Sequence, residues 1–218
     1  MFVGHFGVGF GAKAAAPRVS LGWLLLAAEL PDLLFGLFVL AGIERVRIVP
    51  GITRVTPLDL EYYPFSHSLL AMAIWGLVLC LAYAALRRDR EGGLVLAGVV
   101  VSHWVLDFIS HRPDMPVLIS VGPRVGLGLW NSLAGTLLFE LLVFAVGIAL
   151  YLRATRPRDR TGTWALWGLV ALLTVVYLGS VFGSPPPEAR AFAAVGQATW
   201  LLVAWGFWID RHREVRTA

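Results

Sequence analysis

Long apolar runs separated by short charged links set the organisation of this chain. Windows of roughly 20–43, 67–86, 93–110, 132–152, 164–182 and 191–209 are almost wholly apolar. Each is long enough to cross about 30 Å of hydrocarbon at about 1.5 Å per residue, so the pattern predicts six transmembrane helices. A further apolar stretch at the start, Met1 to Ala12, is short and Gly-rich. It has no basic residue ahead of its apolar part and so does not read as a cleaved signal peptide. It is expected to form a short helix inserted in the membrane. The expected fold class is all-α, a single polytopic helical bundle over residues 1–218.

Composition and charge sharpen this picture. Hydrophobic residues make up 58% of the chain and charged residues only 15%, against about 25% charged in soluble domains, which marks an integral membrane protein. Spans and links use up the length and leave no room for a separate soluble domain. The single cysteine, Cys80, lies mid-span and reads as a packing residue. Lys13 and Arg18, the run Arg87 to Arg90, the run Arg153 to Arg160, and Arg211 with Arg213 fall at alternate ends of the spans. An excess of basic residues marks the cytoplasmic side, which puts the C-terminus in the cytoplasm. The pI near 9.7 therefore reflects topology. A nucleic-acid surface would need a continuous basic stripe with aromatic platforms, and none is present, so no nucleic-acid partner is expected.

Against this background the ionisable residues inside the spans carry the functional signal, because such groups are expensive at membrane depth. Three of them share one string, His103, Asp107 and His111. His103 and Asp107 are four apart and adjacent on a helix face, a spacing that lets an imidazole nitrogen and a carboxylate oxygen meet one ion. His111 lies about 12 Å along a straight helix from His103, too far to share the ion directly, which leaves it to curl back near Pro113, to serve a second ion or to hold substrate at the rim. Helical rise from the cytoplasmic turns puts His5 and Asp32 at depths of roughly 18 and 22 Å. The same count puts His103 at roughly 21 Å, Asp107 at roughly 27 Å, and His67 and His111 near 33 Å. All six fall in the outer part of the membrane.

The neighbouring residues add detail. Tyr62-Tyr63-Pro64-Phe65-Ser66-His67 opens the second span, with Pro64 suited to a first helical turn and Ser66 to the cap. Glu29 and Asp32 flank Pro31 on one face of the first span. Glu140, alone in the fourth span, is open to a role as base, as a ligand's partner or as a structural group. Taken singly, a helical His and Asp can simply bond each other, and His212 belongs with the basic tail. Their combination at matching depth favours a divalent metal. Zinc suits mixed His and Asp ligation, and Mn2+ or Fe2+ would also accept it.

The order of an early His, a Pro-Asp late in a span, Ser66-His67-Ser68-Leu69-Leu70 opening a span, and His103-x-x-x-Asp107 resembles the bacterial inner-membrane family of membrane-bound metal-dependent hydrolases, over about residues 4–111. The resemblance implies His5, Asp32, His67, His103 and Asp107 as the metal and catalytic set and the bacterial inner (plasma) membrane as the location. His111 joins the metal candidates, and Asp32, Asp107 and Glu29 are the candidate bases. The chain departs from the family pattern at Pro31-Asp32-Leu33-Leu34 and at Pro64-Phe65-Ser66-His67, where two further ligands would stand. Residues 1–112 are expected to hold the site and 113–218 to act as scaffold. A site at this depth would act on a lipid-linked or envelope ester, amide or phosphodiester, with membrane lipids as surroundings. The contrary expectations are transport of a metal ion or protons, which calls for polar groups through the full thickness, and a structural metal in an assembly protein. A second resemblance, to lipid-phosphate phosphatases with a His-x-x-x-Asp nucleophile, fails because the phosphate-clamping arginine would fall at Ala97.

Overall fold

A computed structural model describes residues 1–216. Helices α1 (Val3–Ala15) and α2 (Leu21–Leu40) lead into an antiparallel hairpin, β1 (Arg45–Ile48) with β2 (Leu58–Tyr62). A one-turn helix, α3 (Pro64–His67), precedes the antiparallel pair α4 (Leu69–Arg87) and α5 (Arg90–Ser110). A short ladder of β3 (Met115–Pro116) with β4 (Arg124–Val125) follows, and then α6 (Leu133–Ala154). The chain closes with β5 (Thr155–Pro157), α7 (Arg160–Phe182), α8 (Ala189–Gly196), α9 (Thr199–Arg211) and β6 (Arg213–Val215), the last paired with β5. Among the described residues six helical segments are long and apolar enough to span a membrane: α2, α4, α5, α6, α7 and the joined α8–α9. The protein is a multi-pass membrane helical bundle.

Three features differ from the sequence expectation. The strand pairs were not anticipated, although Arg45-Val46-Arg47-Ile48 and Leu58-Asp59-Leu60-Glu61 alternate with period two and Arg47 bonds Asp59 across the ladder at 2.7 Å. The last span is interrupted at Gln197 and Ala198, where the Gln197 side chain donates to the Leu33 carbonyl at 3.2 Å. The helix cap at the start of α4 is Ser68, which accepts from Ala71 N–H at 3.0 Å, and not Ser66.

Helix contacts are made by small residues, which let backbones approach closely where lipid supplies no hydrophobic drive. α1 crosses α6 at Gly7 and Gly147, and a Cβ on Gly7 would lie 2.7 Å from the Val143 carbonyl oxygen. Gly93 and Gly76 bring α5 and α4 together, with a Cβ at 93 falling 2.8 Å from the Cys80 carbonyl oxygen. The glycines of α1 thus serve docking while its backbone bonds stay internal, as membrane insertion demands. Phe6 and Phe10 of α1 bury against Phe144, Tyr151 and Leu169.

At the basic end, Asp210 of α9 organises three partners. It accepts from the backbone N–H of Leu21 at 2.6 Å, from Lys13 Nζ at 3.0 Å and from Tyr151 Oη at 3.2 Å. Ser20 occupies the N-cap position of α2 without capping it, so the carboxylate of Asp210 supplies the helix N-terminus with its acceptor and its counter-charge. Lys13 is 5% exposed at the side chain. Asp210→Ala would strand that ammonium, and a loss of about 3 kcal/mol is expected, read as a lowered thermal midpoint in detergent.

Candidate metal centre

The antiparallel α4–α5 pair turns at Arg88 and Asp89, so the start of α4 and the end of α5 meet at the opposite end of the bundle. His67 closes α3 there, and His103 and Asp107 lie on the last two turns of α5. α1 brings His5 from its first turn, and α2 brings Asp32 from just beyond Pro31. All six sequence candidates for the metal converge, with five of them 1–4% exposed.

The distances define a compact donor cluster. His67 Nε2 lies 3.3 Å from Asp32 Oδ1 and 3.8 Å from Asp107 Oδ2. His103 Nε2 lies 3.2 Å from Asp107 Oδ2 and 3.9 Å from Asp32 Oδ1. Donors around a tetrahedral zinc at 2.0–2.1 Å stand about 3.3 Å apart, so these separations need little adjustment to hold an ion. Two three-residue sets are close enough for one ion each: His5, His103 and Asp107, and Asp32, His67 and His103. Both include His103, whose Nε2 offers one lone pair, so the two sets describe neighbouring parts of one centre.

His67 and His103 are each oriented by a partner on the far nitrogen, as metal-binding histidines require, whereas the buried Nδ1 of His5 has none. His103 Nδ1 sits 2.7 Å from the Ala28 carbonyl oxygen, which can only accept. Pro31 lacks the N–H that a helix would direct at the Ala27 carbonyl and crowds that turn, and the adjoining carbonyl of Ala28 turns to His103. His67 Nδ1 sits 2.7 Å from Ser66 Oγ, whose proton goes to Glu44 Oε2 at 2.6 Å. Both Nδ1 atoms are therefore N–H donors, and both Nε2 lone pairs point at carboxylate oxygens. His103 Nε2 has no hydrogen-bond partner although it is buried. Lone pairs facing carboxylates in a buried site repel unless a cation lies between them. The residues present therefore fit a bound divalent ion.

Asp107 is the hub. Its Oδ1 faces His5 Nε2 at 3.1 Å and the Met1 α-amino nitrogen, while Oδ2 faces His103, His67 and, at 3.8 Å, His111 Nε2. His5 also stacks on His103, ring centroids 3.5 Å apart and nearly parallel. His111 is the C-cap of α5 with extended backbone, ψ 153°, so it leaves the helical path and reaches back to the cluster's edge. Its Nδ1 lies 3.2 Å from Asp114 Oδ1 and 3.4 Å from Tyr63 Oη. Burial lowers the pKa of His111 and raises that of Tyr63 well above its ordinary value, with Asp114 adding to the latter. At neutral pH the imidazole is neutral and the phenol stays a donor.

The other candidates take distinct places. Asp32 keeps 38% of its side-chain surface free, so open space lies beside the donors on its side alone among them. Glu29 is buried a turn earlier on α2, and its Oε1 has no hydrogen-bond partner. Glu140 accepts from the Phe2 and Gly4 N–H groups at 2.8 and 3.3 Å, so it caps α1 and holds His5 in place. The C-terminal part is thus more than scaffold, since Glu140, Asp114 and Trp130, whose ring centroid lies 4.1 Å from that of His111, all border the centre. Sequence reasoning missed Glu44, Tyr63 and Asp114, which sit in links between spans. These links carry acids and bases in near balance, so no spacing or charge signal singled the three residues out. Comparisons with protein-family models, curated proteins and solved structures found no match to this chain.

Proposed function

We propose that this protein is a membrane-embedded metal-dependent hydrolase. The carrying observation is the pair of imidazoles, His67 and His103, whose ring protons are committed elsewhere and whose Nε2 atoms converge on Asp32 and Asp107. These four residues would hold the ion, zinc by preference, with His5 and His111 bracing Asp107 from either side. A divalent ion there would supply a water of lowered pKa and a Lewis acid for a carbonyl or phosphoryl oxygen. Asp32, the exposed carboxylate, faces the space where substrate would lie and is the best placed to take a proton from an attacking water. Glu29, one turn away with an unpartnered oxygen, is placed to receive that proton in turn. Asp107 is enclosed by donors and orients the site.

The basic ends of the helices would face the cytoplasm of a bacterial inner membrane, with the C-terminus inside and the centre toward the outer face. The substrate class fitting that depth is a lipid-linked or envelope ester, amide or phosphodiester. The likeness of residues 4–111 to membrane-bound metal-dependent hydrolases supports the reaction class. Elemental mass spectrometry of protein purified in detergent without chelators is expected to find about one equivalent of zinc, manganese or iron. Metal-loaded protein is then expected to cleave lipid-linked ester, amide or phosphodiester probes, and chelation to abolish this. Absence of metal after a reloading trial overturns the reading. Metal without hydrolysis, together with ion flux in vesicles, would replace it with transport.

A further inference from the structure

The connection between α2 and β1 places a buried carboxylate, Glu44, behind the site and out of reach of the ion. Glu44 is 1% exposed, yet it has no cationic side chain as a partner among the described residues. Its Oε1 accepts two backbone N–H groups at the start of α3, Phe65 at 2.8 Å and Ser66 at 2.9 Å. Its Oε2 accepts the hydroxyl proton of Ser66 at 2.6 Å, and the same hydroxyl oxygen faces His67 Nδ1 at 2.7 Å. Trp75 of α4 donates to the Phe65 carbonyl at 2.8 Å, so the turn that carries the relay is fixed from both sides.

We propose that Glu44 and Ser66 are positioning residues that set the tautomer of His67 and thereby its capacity to bind the metal. The inference rests on the metal reading above. The direction of the relay follows from proton counting. A carboxylate can only accept, so the single hydroxyl proton of Ser66 is drawn to Glu44. The Ser66 oxygen is then left as an acceptor for His67, the ring proton goes to Nδ1, and Nε2 presents its lone pair to the cluster. An imidazole with the opposite tautomer would aim an N–H at the ion and could not ligate it.

This makes a near-isosteric change more harmful than a truncation. In Glu44→Gln, the two backbone N–H groups of Phe65 and Ser66 require an oxygen at the Oε1 position, which forces the amide nitrogen to the Oε2 position. That nitrogen donates to Ser66 Oγ, which releases the hydroxyl proton from Glu44's position to turn to His67 Nδ1, and the ring proton is then displaced to Nε2. Ser66→Ala removes the relay without reversing it and leaves both backbone bonds of Glu44 in place.

The test is 15N-histidine NMR of the metal-free protein in detergent, paired with zinc titration of the wild type, Glu44→Gln and Ser66→Ala. The wild type is expected to show His67 protonated at Nδ1, and Glu44→Gln to show it protonated at Nε2. Partners of this kind are worth about 10–100-fold in metal affinity. Ser66→Ala is therefore expected to weaken zinc binding about tenfold and Glu44→Gln about a hundredfold. A merely structural role for Glu44 would not move the ring proton, and an unchanged tautomer in Glu44→Gln overturns the proposal. The NMR arm needs no metal, so a wild type that shows the Nδ1 tautomer but binds none of zinc, manganese and iron would sink the hydrolase reading and leave the relay standing. If Glu44→Gln does not fold, Ser66→Ala decides: unaltered affinity, with the tautomer of the wild type, rejects the relay.

Discussion

His103→Ala is expected to lower the affinity for zinc by two to three orders of magnitude while leaving the bundle folded. His103 is common to both donor sets, and its Nε2 is a buried atom with no protein hydrogen-bond partner, so no alternative interaction compensates its loss as a ligand. Four-ligand zinc sites bind with about 10–16 kcal/mol, or roughly 2.5–4 kcal/mol per ligand, and about 1.4 kcal/mol is a factor of ten. The fold should survive, because the losses within the protein are one hydrogen bond, to the Ala28 carbonyl at 2.7 Å, and the stack on His5. Asp32→Ala makes the informative contrast. Asp32 is the open-sided donor, so if it also serves as base, its loss should reduce turnover of the metal-saturated protein well beyond its effect on affinity. Isothermal titration with zinc, alongside hydrolysis at saturating metal, separates the two. Equal zinc affinity in His103→Ala and the wild type would remove the centre from consideration.

How far such a site can be read from sequence depends on which interactions are local. His103 and Asp107 are on one helix, and their spacing alone makes them neighbours. Helical rise places His5, Asp32 and His103 at similar depths, and His67 further out in the same half, because membrane spans are nearly straight rods between two fixed planes. Depth gives no azimuth, however. That α1, α2, α3 and α5 turn these residues toward one point follows from glycine contacts such as Gly7 with Gly147, which no single helix reveals. The tautomers were hidden for a different reason. The Ala28 carbonyl is available to His103 at a proline-disturbed turn, and Glu44 reaches Ser66 across a loop, 22 positions away in sequence. Glu140 stood out in sequence as a lone acid in a span, but its role as cap to α1 required knowing that α1 docks on α6. His111 leaves the helical path at the C-cap of α5, one of the arrangements that Pro113 leaves open by disfavouring helix just ahead of it.

Substitution at Gly147 is expected to be the most damaging single change to the fold. A Cβ there would overlap the Gly7 carbonyl oxygen and crowd its carbonyl carbon, and the colliding atoms are backbone, which cannot rotate away. The helices would have to separate, and separation removes the packing of Phe6 and Phe10 against Phe144 and Tyr151. Overpacking that side chains can absorb costs about 1–3 kcal/mol, and here there is no side chain to absorb it. Gly147→Ala should therefore lower the thermal midpoint in detergent more than Gly7→Ala, whose Cβ would meet the Val143 carbonyl oxygen at 2.7 Å. Gly147→Leu should leave little monodisperse protein on size exclusion. The damage should also reach the centre, because His5 lies only two residues from Gly7 on α1. Displacing α1 pulls Phe2 and Gly4 from Glu140, unstacks His5 from His103 and frees Asp107 Oδ1. Where Gly147→Ala still folds, its zinc affinity should fall although no donor has been touched. Gly98 is the control: its Cβ position is open, so Gly98→Ala on α5 should change neither stability nor affinity. Equal midpoints for Gly147→Ala and Gly98→Ala would show that α1 does not depend on this crossing for its place in the bundle.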